Sequence, residues 1–229
     1  MLKKKFISLV LFVFCLLTFT ACGKTDLDLS KFIIEKRENI FVASDDIYTL
    51  SFSTGLRESD YNFDGVVNEL VPFGVITLSR KDNQPLANDS YSFIVTINDQ
   101  KYSGFLQKSY NDNSYSTDLE VNTLGDENIN VQISFTGYTF NQNLENISKD
   151  FQVDSDGAIA VTQKELKEEI LNLLDDKNNK IEVVMKVLKD YSVDDLKKYY
   201  WYVGIISTNG ETMGILIDAN NGDVIAKKI

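Results

Sequence analysis

"YYWYVGIISTNGETMGILIDANNGDVIAKK", residues 199–228, is the stretch that says most about the fold. It is rich in β-branched and aromatic residues and is interrupted twice by Asn-Gly, at Asn209-Gly210 and at Asn221-Gly222. Asn-Gly favours tight type I′ hairpin turns, because both central residues of such a turn have positive φ angles. We therefore predict a three-stranded antiparallel meander, with strands near 199–207, 211–218 and 223–228.

A helix is predicted before this meander. Thr162 followed by Glu165 is typical of a capping box at a helix start. Apolar residues then recur at helical spacing, which predicts one apolar stripe on a helix over residues 163–176. The members of the stripe are Leu166, Ile170, Leu173 and Leu174. The segment that begins at residue 181 fits a strand or a second helix, and its Val and Ile residues favour the strand.

The preceding part, residues 45–150, alternates apolar and polar residues with period two. Two of these runs are centred on Phe93 and Val131. Such alternation is typical of antiparallel strands with one buried face. The predicted fold is an all-β immunoglobulin-like sandwich over 45–150, followed by a small α+β domain over 151–229 in which the helix packs on the meander.

The tail resembles the PepSY family through its "YYWYVGI" strand, its "GETMGILIDANNGDVI" hairpin and the helix before them. The resemblance covers residues 160–229, and the aspartate–turn–glycine element at 218–224 matches best. It implies a PepSY-like module of the kind found in propeptides of secreted metallopeptidases and in bacterial envelope proteins. Such modules are thought to bind or restrain peptidases and carry no catalytic residues.

The N-terminus has the organisation of an export signal, with three Lys at residues 3–5 followed by an apolar run over 6–20. Residues 19–22, "FTAC", resemble the lipobox of bacterial lipoproteins, which implies cleavage after residue 21 and a lipid on Cys22. Residues 1–21 are then a lipoprotein signal peptide and 22–44 a tether. This predicts a protein anchored by lipid on the extracytoplasmic side of the cell membrane.

Composition excludes much catalytic chemistry. The chain has no His, and its second Cys, Cys15, lies in the predicted signal peptide. Nucleophile systems built on His or Cys and His-ligated zinc are therefore excluded from the mature chain. The formal charge of −11 becomes −14 when the three Lys of the signal are removed, which argues against nucleic-acid binding. Adjacent acid pairs such as Asp45-Asp46 would point to opposite faces of a strand, so we interpret them as solvated charges.

Residues 60–71, "DYNFDGVVNELV", resemble a calcium loop of the EF-hand or dockerin kind. Gly65 takes the sharp turn, but Val71 stands where a bidentate Glu belongs. Two interpretations stay open: an acidic turn between strands, or a weak calcium site with Glu58 as an extra ligand. The side chains at positions 1, 3 and 5 are Asp60, Asn62 and Asp64.

The densest aromatic cluster is at 199–202. In a strand, Tyr200 and Tyr202 share a face and could stack on a sugar or a peptide side chain. The alternative is that one face packs in the core and the other is half exposed.

Together these observations predict a non-catalytic, lipid-anchored cell-envelope protein that binds or regulates another envelope or secreted protein. The PepSY resemblance adds a peptidase as the partner. No cofactor is expected apart from calcium, and the membrane is contacted through the anchor. The alternatives are a receptor for a small peptide or sugar and a carboxylate-based hydrolase.

Overall fold

The computed structural model describes residues 27–87, 90–109, 113–122, 129–175, 179–189 and 198–229. The predicted signal peptide, Cys22 and the first residues of the tether lie outside the described residues.

The described chain is built mainly from strands, with two short helices and two 3₁₀ turns, at Leu29–Phe32 and Ser148–Asp150. The elements in chain order are β1 (Ile33–Ser44), β2 (Tyr48–Glu58), β3 (Leu70–Arg80), β4 (Tyr91–Ile97), β5 (Gln100–Lys108), β6 (Tyr115–Glu120), β7 (Ile129–Phe135), β8 (Tyr138–Asn146), α1 (Ser155–Glu165), α2 (Lys167–Asp175), β9 (Ile181–Lys189), β10 (Tyr199–Ser207), β11 (Thr212–Asp218) and β12 (Val224–Lys228). Neither of these two helices is long and apolar enough to cross a membrane.

Eight strands form a closed antiparallel barrel in the order β1-β2-β3-β6-β5-β4-β7-β8, which β8 closes by pairing with β1. The predicted immunoglobulin-like sandwich is therefore wrong. In a sandwich the two sheets would not be hydrogen-bonded to each other, but here two short pairings connect them. Gln107 and Lys108 of β5 pair with β6, and Phe41 and Val42 of β1 pair with β8. Alternating burial did not distinguish the two folds, because a barrel and a sandwich both bury one face of each strand.

β1 also belongs to a second row of strands. Its first half, from Ile33 to Arg37, pairs in parallel with β9, and the sheet continues through β10 and β11 to β12. The meander is therefore the extension of one twelve-stranded sheet, and the predicted separate PepSY-like α+β domain is wrong. β1 thus pairs with β9, and no local pattern in the tail indicates this partner.

Two hydrophobic cores lie along this sheet. The first fills the barrel, with Phe41, Phe52 and Tyr91 among its largest buried side chains. The second lies between α1, α2 and strands β9–β11, and it includes Leu29 from the first 3₁₀ turn. Trp201 is 1% exposed in the second core, and its Nε1 donates a hydrogen bond to the carbonyl of Val153 at 2.8 Å.

The helical segment starts earlier than predicted and is divided in two. The N-cap of α1 is Asp154, whose Oδ1 accepts a hydrogen bond from the N–H of Gly157 at 2.8 Å. Thr162 lies inside α1 and is buried, and its Oγ1 donates to the carbonyl of Ala158 at 2.8 Å. The predicted capping box is therefore wrong, because the Thr162 hydroxyl is used within the helix.

The strands of the tail lie where the sequence places them, but the turns differ. In the two Asn-Gly pairs of the tail, the glycine has a positive φ, +91° at Gly210 and +79° at Gly222, but the asparagine before it does not. These are therefore not type I′ turns. The N–H of Gly210 donates to the carbonyl of Ser207 at 2.9 Å, as in a type I turn followed by a left-handed glycine. Positive φ at two successive central residues occurs instead between β4 and β5, at Asn98 and Asp99.

Candidate functional site

The segment that contains the predicted calcium loop connects β2 to β3, and we call residues 59–69 the crossing loop. Its base is closed by a hydrogen bond of 3.1 Å from the N–H of Ser59 to the carbonyl of Glu69. Between these ends, the loop reaches the start of β9 and the turn after β10. It therefore contacts strands that lie on the other side of β1 in the sheet.

Gly65 makes this contact. Its φ of +74° directs its N–H to Oε1 of Glu182, which accepts the hydrogen bond. A Cβ atom at this position would lie 2.6 Å from the Cβ of Lys180 and 2.9 Å from the Cγ2 of Thr208. The glycine of the predicted calcium motif thus allows the loop to lie close against the sheet.

A second glutamate holds the other end of the crossing loop. Oε1 of Glu58 accepts a hydrogen bond from the N–H of Asn68 at 2.5 Å. Glu58 is 1% exposed and Glu182 is 2% exposed. In each carboxyl group the remaining oxygen, Oε2, is buried and has no hydrogen-bond partner among the described residues.

Burial and nearby charges act on Glu182 in opposite directions to its hydrogen bonds. Burial raises the pKa of Glu182, and the N–H groups of Gly65 and Asp64 oppose this by stabilising its charged form. The negative charges of Glu58 and Asp64 raise the pKa of Glu182 further. The buried carboxyl group of Glu182 thus lies close to two other negative charges.

Unlike the two buried glutamates, the predicted calcium ligands lie at the surface. Asp60, Asn62 and Asp64 are all exposed, and Oδ1 of Asp64 accepts a hydrogen bond from the N–H of Val66 at 2.9 Å within the loop. In the described ranges, no group of three or more His, Cys, Asp or Glu side chains is arranged to hold a metal ion. A calcium site formed by these three residues stays a prediction. Glu58, the predicted extra ligand, lies buried at the base of the loop.

The outer side of the crossing loop is apolar. Tyr61 and Phe63 are 42% and 51% exposed, and their ring centroids lie 5.4 Å apart in an edge-to-face arrangement. Val66 and Val67, at 45% and 36% exposed, follow directly. Four large apolar side chains within seven residues thus face solvent.

A group of charged side chains beneath the loop holds Tyr61. The guanidinium of Arg57 lies 5.3 Å from the centroid of the Tyr61 ring, at cation–π distance. Burial raises the pKa of the Tyr61 hydroxyl well above its usual value, as do the negative charge of Glu35 and a hydrogen bond to it. Glu35 is itself paired with Arg37, Nε to Oε1 at 2.6 Å. The ring of Tyr61 is therefore exposed while its hydroxyl end is fixed.

Of the two predicted ligand-binding tyrosines, Tyr202 lines a shallow groove and Tyr200 lies outside it. The groove, about 290 Å³ in volume, runs beside the outer strand β12, where Gly214 and Lys228 also line it. The ammonium of Lys186 lies 5.7 Å from the centroid of the Tyr202 ring. Ligand binding at Tyr200 and Tyr202 stays a prediction.

Sequence reasoning missed Glu182 and the apolar side of the crossing loop. The signal for the latter is present in the segment itself, where the large apolar side chains of Tyr61 and Phe63 lie between acidic and amide residues. Glu182 gives no such signal, because it lies in a strand 117 residues after Gly65 and its neighbours in the sequence do not resemble the loop. Comparison with protein-family models, with curated proteins and with solved structures finds no match to this chain.

Proposed function

We propose that this chain is a non-catalytic, lipid-anchored protein of the bacterial cell envelope that binds another envelope or secreted protein through the crossing loop. The observation that carries the proposal is the exposure of four large apolar side chains, from Tyr61 to Val67, on one loop. Single exposed apolar residues are normal, whereas a contiguous group marks an interaction surface. Aromatic residues are also enriched where proteins contact one another.

The crossing loop is organised before it binds. Hydrogen bonds to Glu58 and Glu182 hold its backbone at Asn68 and Gly65, and Arg57 packs against the ring of Tyr61. Ordering a flexible loop costs binding free energy, so a loop that is already held loses less of it on association. The ordered backbone of the crossing loop therefore supports its role as a binding surface.

The charges of the loop indicate the chemistry of the partner. Asp60, Asp64 and Glu69 are exposed around the apolar side chains, and the whole chain has a formal charge of −11. Charge complementarity steers association and disfavours partners of like charge. We therefore expect the partner protein to present an apolar pocket with a rim of basic residues.

The lipid anchor rests on the sequence of residues 19–22. Two acyl chains on Cys22 would hold the protein at the membrane, since each buried CH₂ contributes about 0.8 kcal/mol. Labelling with an alkyne fatty acid tests this part alone. Label should appear on the wild-type chain and be absent from Cys22→Ser, and equal labelling of the two chains would contradict the anchor.

The binding surface is tested by removing its aromatic rings. Tyr61→Ser combined with Phe63→Ser should reduce stoichiometric recovery of the partner, after crosslinking in intact envelopes, by at least roughly tenfold. Phe105→Ser is the matched control, because Phe105 is 68% exposed on β5, outside the loop. Recovery that is equal in the double variant and the control would exclude the crossing loop as the binding surface.

A further inference from the structure

Two buried carboxylate oxygens that face the crossing loop have no hydrogen-bond partner among the described residues. Three buried side-chain oxygens in the described part of the chain lack a hydrogen bond, and two of them are Oε2 of Glu58 and Oε2 of Glu182. The third is Oγ1 of Thr54, a neutral group. Buried polar groups in native proteins almost always have a hydrogen-bond partner. Two carboxylate oxygens that lack one, both next to the same loop, therefore require an explanation.

The crossing loop keeps these two carboxyl groups near each other. Gly65 donates to Glu182 and Asn68 donates to Glu58, and three residues of chain span at most about 11 Å. The influence of Glu58 on the pKa of Glu182 is further evidence that they are close.

Within the described ranges, no cationic side chain forms an ion pair with Glu58 or Glu182. The ion pairs formed by described residues involve other acids, such as Glu35 and Asp118, and none involves Glu58 or Glu182. Burying a charge without a counter-charge is costly, and two adjacent negative charges increase the cost. A counter-charge between the two oxygens would remove both penalties.

We propose that a divalent cation, Ca²⁺ in the first place, binds between Oε2 of Glu58 and Oε2 of Glu182. Carboxylate oxygens are hard ligands, and two of them balance the charge of a divalent ion. Ca²⁺ accepts irregular oxygen coordination at 2.3–2.6 Å, so an ion that bridges the pair requires the two oxygens within about 5 Å of each other. Mg²⁺ demands a more regular octahedron and is expected to bind less well.

This site shares Glu58 with the predicted calcium loop but differs from it in the other ligands. Asp60 and Asn62 are exposed and take no part, whereas Asp64 is exposed but close enough for its charge to act on Glu182. Two buried carboxylates leave the other coordination positions to water and neutral oxygens. Affinity is therefore expected at about 10⁻⁴–10⁻³ M, the range used by extracellular modules.

The test is calorimetric titration of the purified full-length chain with CaCl₂, together with melting curves at constant ionic strength. Wild type should bind one Ca²⁺ per chain, and its melting temperature should rise in a saturable way. Glu58→Gln and Glu182→Gln should each reduce affinity at least roughly tenfold. Both keep an amide oxygen that can still accept the loop N–H, so folding without calcium is checked first by circular dichroism.

Asp60→Asn is the matched control, since it removes one carboxylate of the same loop outside the proposed site and should leave Ca²⁺ affinity unchanged. Loss of binding in Asp60→Asn, with binding kept in both glutamine variants, would overturn the inference in favour of the predicted loop site. A wild-type chain that shows neither heat nor a melting shift up to 10 mM, about ten times the weakest expected dissociation constant, would overturn it outright. None of these outcomes depends on the partner protein of the proposed function.

Discussion

Glu182 in β9 accepts a hydrogen bond from the backbone N–H of Gly65 in the crossing loop, 117 residues earlier in the chain. Gly65 follows β2, a strand of the barrel, whereas β9 contributes Ile181 and Val183 to the second core. The surface proposed to bind a partner is therefore fixed by both parts of the sheet. A change that loosens β9 should also loosen this surface.

Gly65→Ala should destabilise the protein by about 1–3 kcal/mol. A left-handed conformation costs an L-residue roughly 1–2 kcal/mol, and the new Cβ would also collide with Lys180. The measurement is urea unfolding combined with limited proteolysis of the crossing loop, which should be cut faster.

Gly137→Ala is the control for this prediction. Gly137 has nearly the same φ, +72°, but an added Cβ meets nothing within 4 Å. It should show the backbone cost alone. Equal losses of stability in the two variants would mean that the contact with β9 contributes little.

Asp45→Ala should reduce stability at neutral pH by about 1–2 kcal/mol. Oδ1 of Asp45 accepts hydrogen bonds of 2.7 Å from the N–H groups of Ile47 and Tyr48, and Oδ2 accepts one of 3.0 Å from the hydroxyl of Tyr138. These contacts hold the turn between β1 and β2 and link it to β8.

The same variant should change the pH dependence of stability. Burial acts to raise the pKa of Asp45, but the N–H groups and the Tyr138 hydroxyl outweigh it, so the pKa lies below its usual value. The contribution of Asp45 is thus complete above the unfolded pKa of about 3.9 and is lost as pH falls towards the folded pKa. Unfolding curves of wild type and variant should differ at pH 7 and converge towards pH 2, whereas exposed Asp46→Ala should follow wild type throughout.

Trp201→Phe should cost about 1–3 kcal/mol. It keeps an aromatic ring in the second core but removes the indole N–H and leaves the carbonyl of Val153 without its donor. Chemical unfolding followed by far-ultraviolet circular dichroism measures the loss. Tyr202→Phe, a change at the next residue on the opposite face, should leave the midpoint in place. A Trp201→Phe chain as stable as wild type would contradict the importance of this hydrogen bond.

Asp154→Ala should destabilise α1 by about 1 kcal/mol, as expected when an N-cap is lost. Glu165→Ala should barely move the unfolding midpoint, because its contact with Lys227, Nζ to Oε2 at 2.6 Å, is a surface ion pair. The reverse result would restore Thr162 and Glu165 as the cap of the helix.

Local patterns predicted the positions of several strands well, whereas the helix start and the turn types were predicted wrongly. The alternation around Phe93 and Val131 marks two barrel strands, and the tail contains its strands at 199–207 and 212–218. The partners of these strands could not be predicted in the same way. The parallel pairing of Ile33 with Val183 depends on two segments that carry no shared pattern, and the closure of the barrel rests on two residue pairs.

The candidate site shows the same limit. The sequence around Gly65 predicted a sharp turn correctly, because glycine there admits positive φ. It did not show that the acceptor for the glycine N–H is Glu182, or that Glu58 is buried beside it. Charged residues are seldom fully buried, so a Glu in a strand is expected to face solvent unless the tertiary fold is known.

The shared strand β1 has a consequence for how the chain matures. The carbonyl of Leu27 accepts a hydrogen bond from the side chain of Gln163, which is synthesised 136 residues later, and the β9 partner of Ile33 comes later still. Long-range pairings of this kind form slowly. Until β9 has been synthesised, one edge of the N-terminal half of β1 has backbone hydrogen-bonding groups without their partner strand. Chains that end before β9 would keep that edge, and a bare edge strand pairs readily with another copy. Premature termination or early proteolysis should therefore yield aggregates rather than a smaller soluble barrel.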